Sequence, residues 1–554
     1  MGDTNGSSWQ AKAAVKREAE LSKIPPAWRL SSEYRQGSET SSISVLDTPA
    51  KCGILTQEEL LITQNFDAVS LAKVISNGSL KSEDVAIAFC KRAAIAQQLL
   101  NCLTETFFDD AIARGKWLDQ YLVEHGKPVG PLHGVPVSIK DCFHYTGVQS
   151  TLGFVSFLDE PKPTTNSQLV DLLLDLGAIL YCKTNIPLTL MTADTHNNVF
   201  GRTLNPHRLD LTAGGSSGGE GALVAIRGSV IGVGTDIGGS VRIPALCNGT
   251  YGFKPTPGRI PMGNGAWCSR EGAPGFPACG GPLANSFEDI GLFTRSVIDA
   301  KPWNRDSSAI AYPWRADVAC IQPAKLRIGY YKEDSEFPLH PPVRRALDTT
   351  TMVLAAAGHE IIPLNDTPSL RKASDIANDY WSLDNTKVWL QYIEASGEPV
   401  IPSLQPRWVK AKENEGEYTL DDVFRLNVES GIYKDQWHAL WTKNKLDVVL
   451  CPGAQNTAVP HDTYAMPRYT VVWNLLQYPG IMIPVGKADK DIDRDELAVA
   501  DSNRTYRAEE VHGAPTSIQL VTRPFQDEEL ISAARVVDRC LNIAKRNVTR
   551  GYRS

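Results

Sequence analysis

"GGSSGGEGALVAIRGSVIGVGTDIGGSVRIPA", residues 214–245, reads as loop, helix, strand and loop. Its two glycine- and serine-rich clusters are "AGGSSGGEG" at 213–221 and "TDIGGS" at 235–240. Between them, "GEGALVAIRG" predicts a short helix, and "SVIGVGTD" is the short apolar run of a buried strand. A helix leaving the first cluster and a strand returning to the second put both loops at one end of a sheet. Open α/β sheets hold their ligands at such an end. Glycine lowers stability unless the backbone needs unusual angles or a close approach. The segment therefore predicts a site together with a fold.

Consecutive glycines ahead of Ser240 can turn the backbone N–H groups of Ile237, Gly238, Gly239 and Ser240 into one space, a nest for a negative oxygen. A helix starting at Ser240 would add its positive dipole end. Ser240 would then stand beside its own oxyanion donors, the arrangement that acyl transfer needs. A serine nucleophile also needs a base. No histidine is near either cluster: His133 and His144 lie near Lys140, and His207 lies upstream of the first cluster. In "GVPVSIKD" (134–141), Val135, Val137 and Ile139 alternate as in a strand, and Lys140 stands at its end. Burial there disfavours the ammonium form, lowering a lysine pKa by up to ~3–5 pH units. Lys140 is thus a candidate neutral base, with Ser216 or Ser217 to carry the proton to and from Ser240. Asp236 and Arg242 read as a salt bridge that braces the loop.

Further out, strand and helix keep alternating. Strands are expected at 178–184, 326–331, 359–364, 446–453, 479–486 and 516–523, and helices at 9–23, 81–99, 109–124, 166–176, 342–357 and 527–545. Residues 30–50 read as a Ser/Thr-rich surface loop. Residues 380–440 read as helical, with Trp381, Trp389 and Trp408 forming a cap or side wall. This alternation argues for an α/β protein, a large mixed β-sheet with helices on both faces in a single domain.

The 554 residues are 42% hydrophobic and 21% charged, ordinary for a soluble globular chain. A net charge of −7 offers no basic excess for nucleic acid or an anionic membrane surface. The 11 cysteines are scattered without a C-x-x-C, which is neither a zinc pattern nor a disulfide framework. Reduced thiols and a cytoplasmic location are expected. The N-terminal stretch has no apolar run, so neither a signal peptide nor a membrane anchor is read there.

The 214–245 stretch resembles the signature of the amidase signature family, and "GVPVSIKD" resembles that family's lysine strand. "GPLANSFEDI" (281–290) and "HGAPTSIQLV" near the C-terminus also resemble family segments, and the likeness covers residues 60–545. "FCKRAAIAQQLLNC" (89–102) and "KPVGPLHGVPVSIKD" (127–141) are most similar to fungal acetamidases and general amidases. The chain is also similar to fatty acid amide hydrolases, without an evident membrane-inserting N-terminal segment.

The resemblance implies a Ser–cis-Ser–Lys triad: nucleophile Ser240, bridging Ser216 after a cis Gly215–Ser216 peptide, and base Lys140. It implies oxyanion donors at Ile237, Gly238, Gly239 and Ser240, and a supporting hydrogen bond from Ser217. It further implies an amide-hydrolysing enzyme without metal or organic cofactor, a small-molecule amide substrate and a homodimer as candidate assembly. The expected domains are an N-terminal helix and surface extension over 1–55 and an amidase domain over 56–548. A short aliphatic amide such as acetamide is the first expected substrate; a larger secondary-metabolite, aryl or fatty acid amide is the alternative. Met191, Thr192 and the 261–280 segment are candidate pocket walls.

Rival readings fit less well. "GGSSG" matches the G-x-S-x-G elbow of α/β-hydrolases, but the elbow needs a strand before it and "NPHRLDLTA" makes a poor one. "SLAK" (70–73) lacks a K-T-G partner, since 183–185 is "KTN". Neither glycine cluster fits a nucleotide-binding motif. An inactive binding scaffold is disfavoured by the intact triad, and an amidotransferase-type subunit by the acetamidase-like flanks.

Overall fold

A computed structural model describes residues 8–384, 387–405, 418–499 and 505–551. Its core is one 11-stranded mixed sheet. The strands are β1 (Leu103–Thr106), β2 (Pro136–Lys140), β3 (Ile179–Thr184), β8 (Ile231–Asp236), β9 (Tyr251–Lys254), β10 (Cys279–Ala284), β11 (Arg327–Tyr330), β12 (Glu360–Pro363), β13 (Val448–Cys451), β14 (Gly480–Lys487) and β15 (Pro515–Val521). Two small ribbons, β4 (His196–Asn197) with β5 (Gly201–Arg202) and β6 (Leu204–Asn205) with β7 (Arg208–Thr212), lie outside it. The sheet order is β1-β3-β2-β8-β10-β9-β14-β15-β13-β11-β12.

The α/β architecture read from the sequence is the observed one, and most predicted elements fall within a few residues of their expected ends. The helix Trp9–Ser22 stops before Pro25, and Phe108–His125 stops at Gly126, which adopts φ 64° at the C-cap. The 30–50 loop crosses the surface, and Ile24, Leu30, Val45 and Leu55 are buried with residues of the Ser82–Leu100 helix. Trp381 and Trp389 lie on the helices Leu370–Ser382 and Lys387–Ser396, whereas Trp408 falls outside the described residues.

Three strands of the main sheet escaped the sequence reading, β1, β9 and β10, as did the short ribbon strands β4, β5 and β6. β10, "CGGPLA", is glycine-rich and lacks the β-branched signature of a strand. It pairs along its full length with the equally glycine-rich β8, Gly281 opposite Gly234. A Cβ on Gly281 would stand 2.1 Å from the Phe253 carbonyl oxygen, so close backbone approach explains the composition. The 208–212 segment, expected to be a poor strand, is in fact β7. It pairs only with β6 in a peripheral ribbon, so no central strand feeds the first serine cluster as a hydrolase elbow requires.

β2 is buried on both faces because it runs between β3 and β8 with helices above and below. Val137 and Ile139 point into an apolar cluster. Ser138 and Lys140 point the other way, toward the helix Gly218–Ala225: Ser138 Oγ donates to Glu220 Oε2 at 2.5 Å. β2 and β8 are parallel, with Ile139 opposite Val233, so their C-terminal ends bring Lys140 and Thr235 to the same edge.

Candidate active site

At that edge Lys140 Nζ lies 2.7 Å from Ser216 Oγ and 2.8 Å from Thr235 Oγ1. Lys140 has no exposed surface, and burial lowers its pKa to about 8. The peptide Gly215–Ser216 is cis. Ser217 N donates to the Ser240 carbonyl at 3.2 Å, and Thr235 N approaches Ser217 Oγ at 3.4 Å, so the two glycine clusters are laced together. Ser216 is 2% exposed and Ser240 is 9% exposed, the most open of the four polar groups that meet here.

The loop 236–241 is held by a buried carboxylate. Asp236 Oδ1 accepts from Gly239 N at 2.8 Å, and Oδ2 from Val241 N at 3.2 Å. Arg242 closes a two-pronged ion pair on Asp236, with Nε to Oδ2 and Nη2 to Oδ1 both 3.0 Å. Asn474 Nδ2 donates to Asp236 Oδ1 at 2.8 Å, and Arg242 itself reaches Gln519, Thr470 and Asn474. Burial raises the Asp236 pKa, but the Arg242 guanidinium and these donors outweigh it and hold the carboxyl well below its usual range. Both side chains are fully buried and neither lines a cavity, so Asp236 and Arg242 brace the loop instead of touching a ligand.

This bracing changes one expectation. The Gly239 N–H is engaged by Asp236 and is not open to a ligand. Among the described residues no acceptor takes the N–H groups of Ile237, Gly238 or Ser240. Gly239 is required for another reason: its φ is +124°, and a Cβ there would lie 2.3 Å from Thr470 Oγ1. The following helix begins at Arg242, two residues beyond the expected start at Ser240.

A second buried carboxyl, Glu220, sits one turn into Gly218–Ala225. It accepts from Ser138 and from Thr184 Oγ1 at 2.9 Å, and burial raises its pKa to about 8. Thr235, Glu220, Thr470, Asn474 and Gln519 were not singled out in the sequence. The last three come from 228 to 277 residues beyond Arg242, where nothing local signals a partner. Glu220 lay inside the quoted stretch, where a lone Glu on an apolar helix was the available signal.

Two cavities meet at Ser240. The larger, about 560 Å³, is bounded by Thr192, Gly215, Gly238, Asp379 and Tyr464. The smaller, about 350 Å³, is bounded by Ser216, Thr235, Trp267, Phe276 and Trp389. Met191, Ile237 and Trp381 border both. Met191 and Thr192 thus stand where pocket walls were expected, and the 261–280 segment contributes Met262, Trp267, Cys268 and Phe276. No histidine borders either cavity: His207 Nε2 is paired with the Asn248 carbonyl at 3.0 Å and His144 Nδ1 with Ser150 Oγ at 3.0 Å. Ser70 of "SLAK" caps the helix Ala68–Ser76 through Asp67 and faces no cavity of this site. Among the described residues no group of three His, Cys, Asp or Glu side chains could hold a metal ion.

Residues 84–531 match the Amidase family. An amidase from Gibberella moniliformis is 40% identical over 533 residues, covering 96% of this chain and 98% of that protein. An acetamidase from Aspergillus oryzae is 39% identical over 554 residues, covering 96% and 99%. Among solved structures, fatty acid amide hydrolase superposes with a TM-score of 0.90 at 32% identity, covering 97% of this chain and 95% of that one. With a lysine, two serines and two glycine loops converging on one edge of an amidase-type sheet, the chain belongs to the amidase family and is an amide-hydrolysing enzyme.

Proposed function

We propose that the protein hydrolyses a carboxylic amide through an acyl-enzyme on Ser240, with Ser216 as proton relay and Lys140 as base. The observation that carries this is the 2.7 Å contact between fully buried Lys140 and Ser216, at the edge where Ser240, 9% exposed, borders both cavities. A lysine with a pKa near 8 holds a useful neutral fraction at physiological pH, which an exposed lysine does not.

In the first half-reaction Ser240 Oγ bonds to the amide carbon, and its proton passes through Ser216 to Lys140. The carbonyl oxygen becomes an oxyanion facing the N–H groups of Ile237, Gly238 and Ser240. The C–N bond then breaks as the proton returns through Ser216 to the nitrogen, and ammonia or a neutral amine leaves. Water repeats the route: its proton goes to Lys140, its oxygen bonds to the acyl carbon, and Ser240 recovers a proton as the acid departs. Ser217, which ties Ser240 to Thr235, keeps the relay in register.

A short aliphatic amide such as acetamide is the first substrate, supported by the identity to proteins named acetamidase. Larger amides are the second reading, supported by the two cavities at Ser240, each far wider than an acetyl group. Residues 1–55 act as an extension of an amidase domain over 56–548, a reading supported by the burial of Ile24, Leu30, Val45 and Leu55 with residues of Ser82–Leu100. A cytoplasmic setting fits eleven free thiols, and a net charge of −7 fits a protein that does not engage nucleic acid. Among the described residues no helix is long and apolar enough to cross a membrane. The proposed homodimer is checked by sedimentation.

Labelling with a small fluorophosphonate followed by peptide mapping tests the mechanism. An adduct on Ser240 that is lost in Lys140→Ala is the expected result. An adduct on Ser216 or Ser217 overturns the assignment.

A further inference from the structure

Resting on the acyl-transfer reading and developing its larger-amide alternative, we infer that the protein takes N-substituted amides whose amine carries an aryl or similarly bulky apolar group, and that the smaller cavity receives this amine as the leaving group. The leaving nitrogen must collect the proton that the relay took from Ser240, so it must lie on the side of Ser240 where the relay hydroxyl opens. Ser216 and its neighbour Thr235 border the smaller cavity and not the larger. Gly238, one of the free N–H donors, borders the larger. The scissile bond therefore spans the junction, with the acyl group in the larger cavity and the amine in the smaller.

The smaller cavity is built for more than ammonia. It holds about 350 Å³, whereas a water or ammonia molecule occupies about 30 Å³. Its walls include Trp267, Phe276, Trp381 and Trp389, with Phe276 and Trp381 ring centroids 5.5 Å apart. Aromatic walls gain by excluding water against an apolar group, and rings stack readily on them. Thr189 on the same wall is 1% exposed, and its hydroxyl has no partner among the described residues. It is also held at φ 72°, a conformation β-branched residues rarely adopt.

The step balances without a co-reactant. The C–N bond breaks, the proton originally on Ser240 Oγ joins the nitrogen through Ser216, and the primary amine departs neutral.

The test holds the acyl group constant. Initial rates are measured with N-methylacetamide and N-benzylacetamide, and separately with acetamide and phenylacetamide, which places the aryl group on the acyl side. Burying a phenyl group predicts a kcat/KM for N-benzylacetamide roughly 10- to 100-fold above that for N-methylacetamide. A smaller gain is expected for phenylacetamide over acetamide. Ala278 borders the smaller cavity, and Ala278→Leu should cut the benzyl-to-methyl ratio by about tenfold, close to the tenfold that ~1.4 kcal/mol of lost burial represents. If that variant does not fold, Trp267→Ala, at a site 41% exposed, should lower the same ratio. No benzyl gain, a larger gain for phenylacetamide, or an unchanged ratio in the folded variants overturns the inference. Ser240→Ala separates the two levels. Ser240-dependent turnover of N-methylacetamide without a benzyl gain rejects only the leaving-group assignment; turnover that survives Ser240→Ala rejects the acyl-transfer reading itself.

Discussion

Replacing Lys140 with methionine removes the proposed base and also tests whether that base is neutral in the folded protein. Burial sets the Lys140 pKa at about 8, against an ordinary 10.5 in the unfolded chain. That gap corresponds to ~3 kcal/mol. Its sign follows from proton counting. Between about pH 8 and 10.5 the unfolded chain keeps a proton on Lys140 that the folded chain has shed, so stability rises with pH across this window. Below about pH 8 both states are protonated and the full penalty is present. Lys140→Met abolishes the penalty, but it removes the Nζ contacts to Ser216 and Thr235, at a cost of ~1 kcal/mol per lost bond. The variant should therefore be ~1 kcal/mol more stable than the parent near neutral pH, while losing ~10²–10⁴ in activity. By about pH 9.5 roughly half the parent's penalty has gone, so the advantage of Lys140→Met should have disappeared. Urea unfolding of both proteins at the two pH values measures this. Parallel stability curves would mean that Lys140 titrates at its ordinary value when folded, and the neutral-base mechanism would fail with them.

Other perturbations follow from the same geometry. The kcat/KM of the parent should climb with pH up to about 8 and flatten above it, as the neutral fraction of Lys140 saturates; a profile flat from about pH 6 refutes a lysine base. Thr235→Val removes the second contact of Lys140 Nζ at nearly constant volume and should lower kcat about tenfold with little change in KM, read from steady-state kinetics. Gly239→Ala forces a Cβ against Thr470 at φ +124° and should lose ~10²–10³ in kcat by displacing the N–H donors of the loop, together with a lower Tm. Glu220→Gln should be stabilising above about pH 5. Its carboxyl is raised from 4.5 to about 8, so the unfolded chain ionises first and the parent loses stability as pH rises through that window; thermal melts across it decide the matter.

How far the fold was legible follows from which signals were local. Alternating strands and helices with ordinary apolar content were readable because each carries its own period, as in "LDVVLCPG" for β13 and "TSIQLVTR" for β15. β10 was not, because its glycines answer to the Phe253 backbone and to β8 across the sheet, not to any period along the chain. The candidate site divides the same way. Ser216, Ser217 and Ser240 stand in two short loops and Lys140 at the end of one alternating strand, three stretches unusual enough to read, and the structure brings them to one edge of the sheet. The groups that hold the loop came from elsewhere: Thr470 and Asn474 on Arg468–Leu475, and Gln519 on β15.

That division has a physical consequence for the loop. A buried Asp–Arg pair gives weak net stability, because desolvation offsets its attraction, yet removing one partner leaves an uncompensated charge at ~3–5 kcal/mol. Here the pair also takes the Gly239 N–H, whereas the N–H groups of Ile237, Gly238 and Ser240 have no acceptor among the described residues. The carboxylate that was read from sequence as a simple brace thereby sets which backbone groups remain available to an oxyanion. Arg242→Met should separate the two roles. If Asp236 only stabilises the fold, activity per folded molecule will be retained while the urea midpoint drops. If it also aims the N–H groups, kcat will fall by ~10²–10³ in the molecules that remain folded. The shared carboxylate, with Gly239 on one oxygen and Val241 on the other, predicts the second outcome. An undiminished kcat in folded Arg242→Met would show that the loop keeps its shape without the pair.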